Sequence, residues 1–167
     1  FDPTVTSFPY NESFEGSLVG WQNIDNDEDG NSWFSYTVDG SAHTGTKSIA
    51  SASWNYTDGA LTPDNWLISP KFVLPTFSSG QYANLKYFIA AQDPEYPAEK
   101  YSLLISTTNT EIASFTNVTT ETLTDDAWIE KDISLAAYSG QMIYIAFRHH
   151  GCTDQFYLKL DDISIEL

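Results

Sequence analysis

The sequence predicts an all-β domain of the sandwich or jelly-roll type, and three observations predict it. Aromatic residues make up 15% of the chain, with 10 Tyr, 10 Phe and 5 Trp, and Ser, Thr and Asn are plentiful, a composition that favours strands and turns over helices. No segment carries the long Ala/Leu/Glu/Lys pattern of an amphipathic helix. Short runs of alternating apolar residues instead recur between turn signals at intervals of roughly 8 to 12 residues. The 167 residues suit one domain and are enough to bury a sizeable core.

Taken in order, residues 1–10 contain Pro3 and Pro9 and no clear period, so they read as an extended N-terminal arm or linker ahead of a domain at 11–167. Asn11 to Gly16 forms a short strand ending in a turn, and Trp21 to Ile24 and Trp33 to Val38 are strands flanking an acidic loop. A loop rich in Gly, Ser and Thr follows from Asp39 to Thr46, then a strand from Lys47 to Trp54. Asn55 to Asp64 carries turn residues, Asn65 to Pro70 is a strand stopped by proline, and Phe72 to Leu74 continues towards an edge.

The clearest strands are Asn84 to Ala91 and Tyr101 to Thr107, with Leu85, Tyr87 and Ile89 on one face and Tyr101, Leu103 and Ile105 on one face. The polar loop Gln92 to Glu99 between them is stiffened by Pro94 and Pro97. A single helical turn is expected at Ile112 to Phe115 and a strand at Thr120 to Thr124, before the alternating runs Trp128 to Leu135 and Met142 to His150. In the last strand the apolar parity slips: Phe156, Leu158 and Leu160 are even, Ile163, Ile165 and Leu167 odd. A strand keeps one face buried through such a slip by a bulge at Asp161-Asp162, or by passing from one sheet to the other there.

Seven basic against 23 acidic residues give a net charge of −16, which argues against nucleic acid or an anionic membrane surface as partner. No apolar run approaches the roughly 18 residues that span a bilayer. The single Cys152 leaves no internal disulfide, so metal staples would have to serve where a small secreted scaffold uses cystines. The opening at Phe1 without methionine suggests a piece of a longer precursor.

Carboxylates also cluster locally. In Asp25-Asn26-Asp27-Glu28-Asp29-Gly30 they recur at every second position and a glycine follows the third, the spacing by which a tight loop gathers oxygens around Ca2+. Magnesium asks for stricter octahedral geometry and usually phosphate, so calcium is favoured. The EF-hand form is excluded, because the twelfth position is Tyr36 rather than Glu and the flanks are strands. An ordinary solvated Asx turn is the competing reading of Asp25, Asp27 and Asp29.

The order of several motifs resembles the cleaved adhesin domains repeated in gingipain proteases and related bacterial haemagglutinins. The matching pieces are Glu12-Ser13-Phe14-Glu15, Trp21 with Ile24 to Trp33, Pro63-Asp64-Asn65-Trp66-Leu67-Ile68-Ser69-Pro70, Ala90-Ala91-Gln92-Asp93, Ala98-Glu99-Lys100-Tyr101, and Ala146 to Asp154 running into Leu160-Asp161-Asp162-Ile163. The resemblance covers about residues 11 to 167, and Glu28 stands where such loops often have glycine. It implies a galactose-binding-like, MAM-type jelly roll, stabilised by Ca2+ and acting as a non-catalytic binding module. It also implies metal ligation by Glu15, Asp161 and Asp162 where the first and last strands meet, and by Asp25, Asp27 and Asp29 in the acidic loop.

Rival chemistry is weaker. Arg148-His149-His150-Gly151-Cys152-Thr153-Asp154 holds a nucleophile, bases and an acid, but neighbours on one strand point to opposite faces, which disfavours both a cysteine hydrolase and a zinc site. Among 23 acids no pair is singled out for glycosidase work. The loop aromatics Trp54, Tyr56 and Tyr96 would stack on sugar rings or anchor a protein. The expected function is therefore a calcium-binding adhesin module of a secreted or surface-bound bacterial polypeptide, a monomeric unit in a multidomain chain. Its partner is a host or extracellular-matrix protein or a glycan; a carbohydrate-binding module of a polysaccharide-degrading enzyme is the alternative.

Overall fold

The computed structural model describes residues 3–167, and Phe1 and Asp2 of the expected arm lie outside it. The elements are β1 (Thr4–Val5), β2 (Tyr10–Glu12), β3 (Gln22–Asp25), β4 (Phe34–Tyr36), β5 (Ser48–Ala52), β6 (Trp54–Asn55), β7 (Gly59–Ala60) and β8 (Asp64–Ile68). They continue with β9 (Lys71–Val73), β10 (Asn84–Ala91), β11 (Lys100–Ser106), β12 (Thr116–Thr122), β13 (Ile129–Ser134), β14 (Met142–His150) and β15 (Tyr157–Glu166). Among the described residues the helical content is two single 3-10 turns, Ile112–Ser114 and Ala136–Tyr138, the first of them where the sequence places a helical turn.

Two sheets face each other. One runs β1-β9-β14-β11-β12, with β8 also on β14 and β3 on β8; the other runs β13-β10-β15-β5-β4, with β2 also on β15. The alternation read from the sequence is the inward face. Leu85, Tyr87 and Ile89 of β10 and Leu158, Leu160, Ile163 and Ile165 of β15 pack against Tyr101, Leu103 and Ile105 of β11 and Ile143, Ile145 and Phe147 of β14. Fully burying side chains of this size stabilises by about 1.5–3 kcal/mol each before the entropy of ordering is subtracted. The two core tyrosine hydroxyls are paired: those of Tyr87 and Tyr101 lie 3.0 Å apart, and Tyr101 Oη donates to Glu121 Oε2 at 2.9 Å.

The opposite parity of β8, β11 and β14 forms a second apolar cluster on the outer face, Trp66, Ile68, Leu104, Tyr144 and Ala146, covered by Ile24, Ile112, Phe115 and Met142. The weakly patterned stretch after β11 thus has a structural task.

The parity slip in the last strand is resolved as a bulge. Lys86 faces Ser164 but Phe88 faces Asp161, and Asp162 has a φ of +46°. The bulge also hands β15 from one neighbour to another, since Tyr157–Leu160 pair with β5 and Ile163–Ile165 with β2. Two expectations change. Residues 3–10 are docked and bend at Ser7 to Pro9: β1 pairs in parallel with β9, and Val5, Phe8 and Tyr10 pack on the core. Because β1 covers it, Phe72 sits between two strands rather than at an edge and is fully buried.

Candidate functional site

The acidic loop leaves β3 at Asp25, and its carboxylates converge. Asp25, Asp27 and Asp29 each offer an oxygen within 4.8 Å of the others. Part of their capacity is used locally, with Gly30 N donating to Asp25 Oδ2 at 2.8 Å, Asn31 N to Asp29 Oδ1 at 2.7 Å and Asp64 N to Asp27 Oδ1 at 3.1 Å. Asp25 Oδ1 is buried and has no hydrogen-bond partner. Burial, together with the charges of Asp29 and Asp25, raises the Asp27 carboxyl above its ordinary range, against the pull of the Asp64 N–H. An oxygen left without a donor among mutually repelling carboxylates fits a hard cation such as calcium. Glu28 takes the left-handed conformation that glycine favours, with φ +58°.

Glu15, Asp161 and Asp162 meet the same loop, residues 43–47, from two sides. Thr46 N and Lys47 N donate to Glu15 Oε1 at 3.0 and 2.9 Å. His43 N donates to Asp161 Oδ2 at 2.9 Å, and Asp162 N to Asp161 Oδ1 at 2.8 Å. Asp162 Oδ2 lies 2.6 Å from His43 Nδ1, and Thr44 Oγ1 donates to Asp162 Oδ1 at 2.8 Å. Burial, with help from the charge of Asp162, lifts the Asp161 carboxyl to about 6. Among the described residues these three do not gather their oxygens as the acidic loop does. They clasp the 43–47 loop between the chain's first and last strands.

The three loop aromatics share one pocket. Trp54, Tyr56 and Tyr96 line a cleft of about 340 Å³ with Phe156, Asp93, Asp154 and Gln155. The hairpin of β6 and β7 presents Tyr56 because Asn55 Oδ1 accepts from Thr57 N at 2.8 Å and Asp58 N at 2.7 Å, a side-chain-capped turn. Trp54 packs edge-on to Tyr56 at 4.9 Å between ring centroids and tilted against Phe156 at 5.8 Å. Phe156 stacks on Tyr157 at 3.9 Å, and Tyr157 meets Phe34 and Tyr36 edge-on, so the pocket opens from a continuous aromatic band. Tyr56 remains 85% exposed and Tyr96 53%, so their rings are available to a ligand. The sequence reading missed Phe156, whose parity marked it as core; the pair Phe156-Tyr157 just before the last long alternating run was the signal.

The Arg148–Cys152 segment is divided among separate tasks. The Arg148 guanidinium grips Asp64, with Nη2 donating to Oδ2 at 3.0 Å, and lies over the Trp66 ring. His150 Nε2 sits 2.7 Å from Ser102 Oγ, and burial first, then the charge of Arg148, holds its ring down to about 4. His149 turns inward to Glu99, an acid at the end of the polar loop Gln92 to Glu99 that is fully buried. A relay through Cys152 needs the thiol and the acid on opposite ring nitrogens. Here Nε2 faces both Cys152 Sγ at 3.3 Å and Glu99 Oε2 at 2.7 Å, while Nδ1 lies 2.7 Å from Ser51 Oγ. Burial and then the Glu99 charge push the Cys152 thiol up to about 12, the opposite of activation.

Residues 7–165 match the Cleaved Adhesin Domain family. The chain belongs to the cleaved adhesin domain family. It is 36% identical over 184 residues to hemagglutinin A of Porphyromonas gingivalis W83, an alignment covering 95% of this chain and 8% of that protein. It therefore spans under a tenth of that relative's length. Among solved structures, the K1 cleaved adhesin domain of Lys-gingipain from P. gingivalis W83 superposes with a TM-score of 0.84 at 31% identity, covering 96% of this chain and 98% of that one. The carbohydrate-binding module TmCBM61, solved in complex with β-1,4-galactotriose, superposes with a TM-score of 0.59 at 14% identity over 92% of each chain, a likeness of fold alone. The cleaved adhesin domain here is thus an all-β jelly roll.

Proposed function

We propose that this cleaved adhesin domain is a non-catalytic, calcium-stabilised adhesin module of a larger secreted or surface-bound polypeptide, and that it binds glycans displayed by host cells or matrix. The observation that carries this reading is the pocket of Trp54, Tyr56, Tyr96 and Phe156 rimmed by Asp93, Asp154 and Gln155. Aromatic faces stack on the C–H faces of sugar rings, while carboxylate and amide groups at the rim accept from and donate to hydroxyls. The pocket sits on loops at one end of the sandwich, where sequence varies without cost to the core. The net charge of −16 steers the module away from anionic polymers and towards neutral or basic ligands.

Calcium enters as a staple. Asp25, Asp27 and Asp29 would hold it, and Asn31 just beyond accepts from the Asn55 amide at 3.1 Å, so the acidic loop supports the hairpin that carries Tyr56. The test is binding of the domain to a panel of neutral host glycans and matrix proteins, once in calcium and once in chelator. Glycan binding that weakens in chelator supports the proposal. Binding confined to matrix proteins would replace the glycan with a protein partner, and the same pocket would then act as an anchor for an exposed side chain.

A further inference from the structure

We propose that Glu99, His149 and Cys152 form a zinc site on the opposite side of the chemistry from the acidic loop: a nitrogen–sulfur–oxygen site rather than an all-oxygen one. The three side chains reach one point from a strand and two flanking loop segments. Glu99 stands just before β11, His149 lies opposite Tyr101 in β14, and Gly151, with φ +66°, reverses the chain so that Cys152 meets His149 three residues later. Adjacent strand positions could not have done this, which is why the sequence disfavours zinc; the reversal at Gly151 and the contribution of Glu99 supply what it lacks.

The spacing suits the ion. Cys152 Sγ lies 3.3 Å from His149 Nε2 and 3.5 Å from Glu99 Oε2, and Nε2 lies 2.7 Å from that same oxygen. Zinc at ordinary bond lengths sets the S–N, S–O and N–O edges of its tetrahedron at about 3.6, 3.5 and 3.3 Å. Two edges are nearly in place, and the third opens by about 0.6 Å as the metal replaces the Nε2–H bond. The far side of each inner ligand is already held: Ser51 Oγ lies 2.7 Å from His149 Nδ1, while Ser53 Oγ and Phe156 N donate to Glu99 Oε1 at 2.9 and 2.8 Å. Such outer contacts fix the orientation of metal ligands.

Charge points the same way. Glu99 and His149 are both fully buried, and a dipositive ion with one carboxylate and one thiolate makes a neutral cluster there. Cys152 is only partly buried, which gives the ion a way in and leaves its fourth position to water. On binding, the S–H proton leaves to solvent and the ring proton moves from Nε2 to Nδ1, where Ser51 Oγ accepts it, so one proton is released per ion.

The test uses Co2+ as a coloured stand-in for zinc. The reduced, metal-free chain is titrated with Co2+ in excess calcium, which fills sites built of oxygen alone. One equivalent is expected to bind with a thiolate-to-cobalt charge-transfer band and tetrahedral d–d bands, both erased by zinc. Cys152→Ser should lose the charge-transfer band, and His149→Gln should weaken zinc binding at least tenfold. Wild-type protein that shows no thiolate band under these conditions overturns the proposal, as does zinc binding that is unchanged in His149→Gln.

Discussion

At the residue scale, single contacts decide whether a charge inside this acidic domain stabilises or destabilises it. Asp64 shows the balance: burial alone would raise its carboxyl, but hydrogen bonds from Arg148 and Asn26 outweigh it and hold the carboxyl below its ordinary value. A carboxyl whose folded pKa is depressed contributes stability that is present above the unfolded value and is lost as pH falls through the folded one. Asp64→Asn is therefore expected to cost about 2 kcal/mol at neutral pH, leaving Arg148 uncompensated. Its deficit should shrink as pH falls below about 4, where the carboxyl of the unfolded chain takes up its proton ahead of the folded one, as urea melts at several pH values would record. Asp27→Ala removes one of three converging carboxylates. The variant should lose much of the calcium-dependent rise in Tm while melting in chelator no earlier than wild type, since it also removes repulsion. Such residues differ in how openly the sequence declares them. Asp25, Asp27 and Asp29 are legible because their convergence is local and follows from spacing. Glu99 is not, because its partner His149 is brought to it by strand pairing 50 positions away, and nothing near either residue records that.

At the element scale, the strands were readable wherever one face is buried, because burial writes period two into the sequence. The parity slip at Asp161-Asp162 was legible for the same reason, and the structure shows what it does: β15 changes neighbour from β5 to β2 at the bulge. What stayed hidden were the pairings without a pattern. Thr4–Val5 is too short to show a period, and its parallel docking on β9 depends on where the rest of the sheet leaves an open edge. The loop 43–47 read as a run of turn residues, yet it is the clasp between the two ends of the chain. Gly45 lies within it at φ +65°, and a Cβ there would collide with the Glu15 carboxylate. Gly45→Ala is expected to cost 2 kcal/mol or more, by approximation from strained left-handed positions and steric overlap, or about 4–8 °C in Tm. A variant that melts with wild type would show that Glu15 is free to move and that the clasp carries no load.

At the scale of the whole molecule, a jelly roll with a continuous core leaves its loops free to specialise, and here they specialise at one end in aromatic surface and carboxylates. An ion bound only by the folded chain stabilises it by mass action, so calcium at about 100 times its Kd should add about 2.7 kcal/mol, roughly 5–10 °C in Tm for a domain of this size. Identical melts in calcium and chelator would remove the staple from the account without touching the pocket. The pocket itself is tested most directly with Tyr56→Ala/Tyr96→Ala, because both rings are exposed and their loss leaves the core intact. Wild type and the double variant are titrated, in calcium, with the neutral glycan that the panel identifies, by isothermal titration calorimetry. At about 0.5–1.5 kcal/mol for each lost ring contact, the affinity is expected to fall about fivefold or more at unchanged Tm. Equal affinity in the two proteins would contradict the assignment of this pocket as the glycan site.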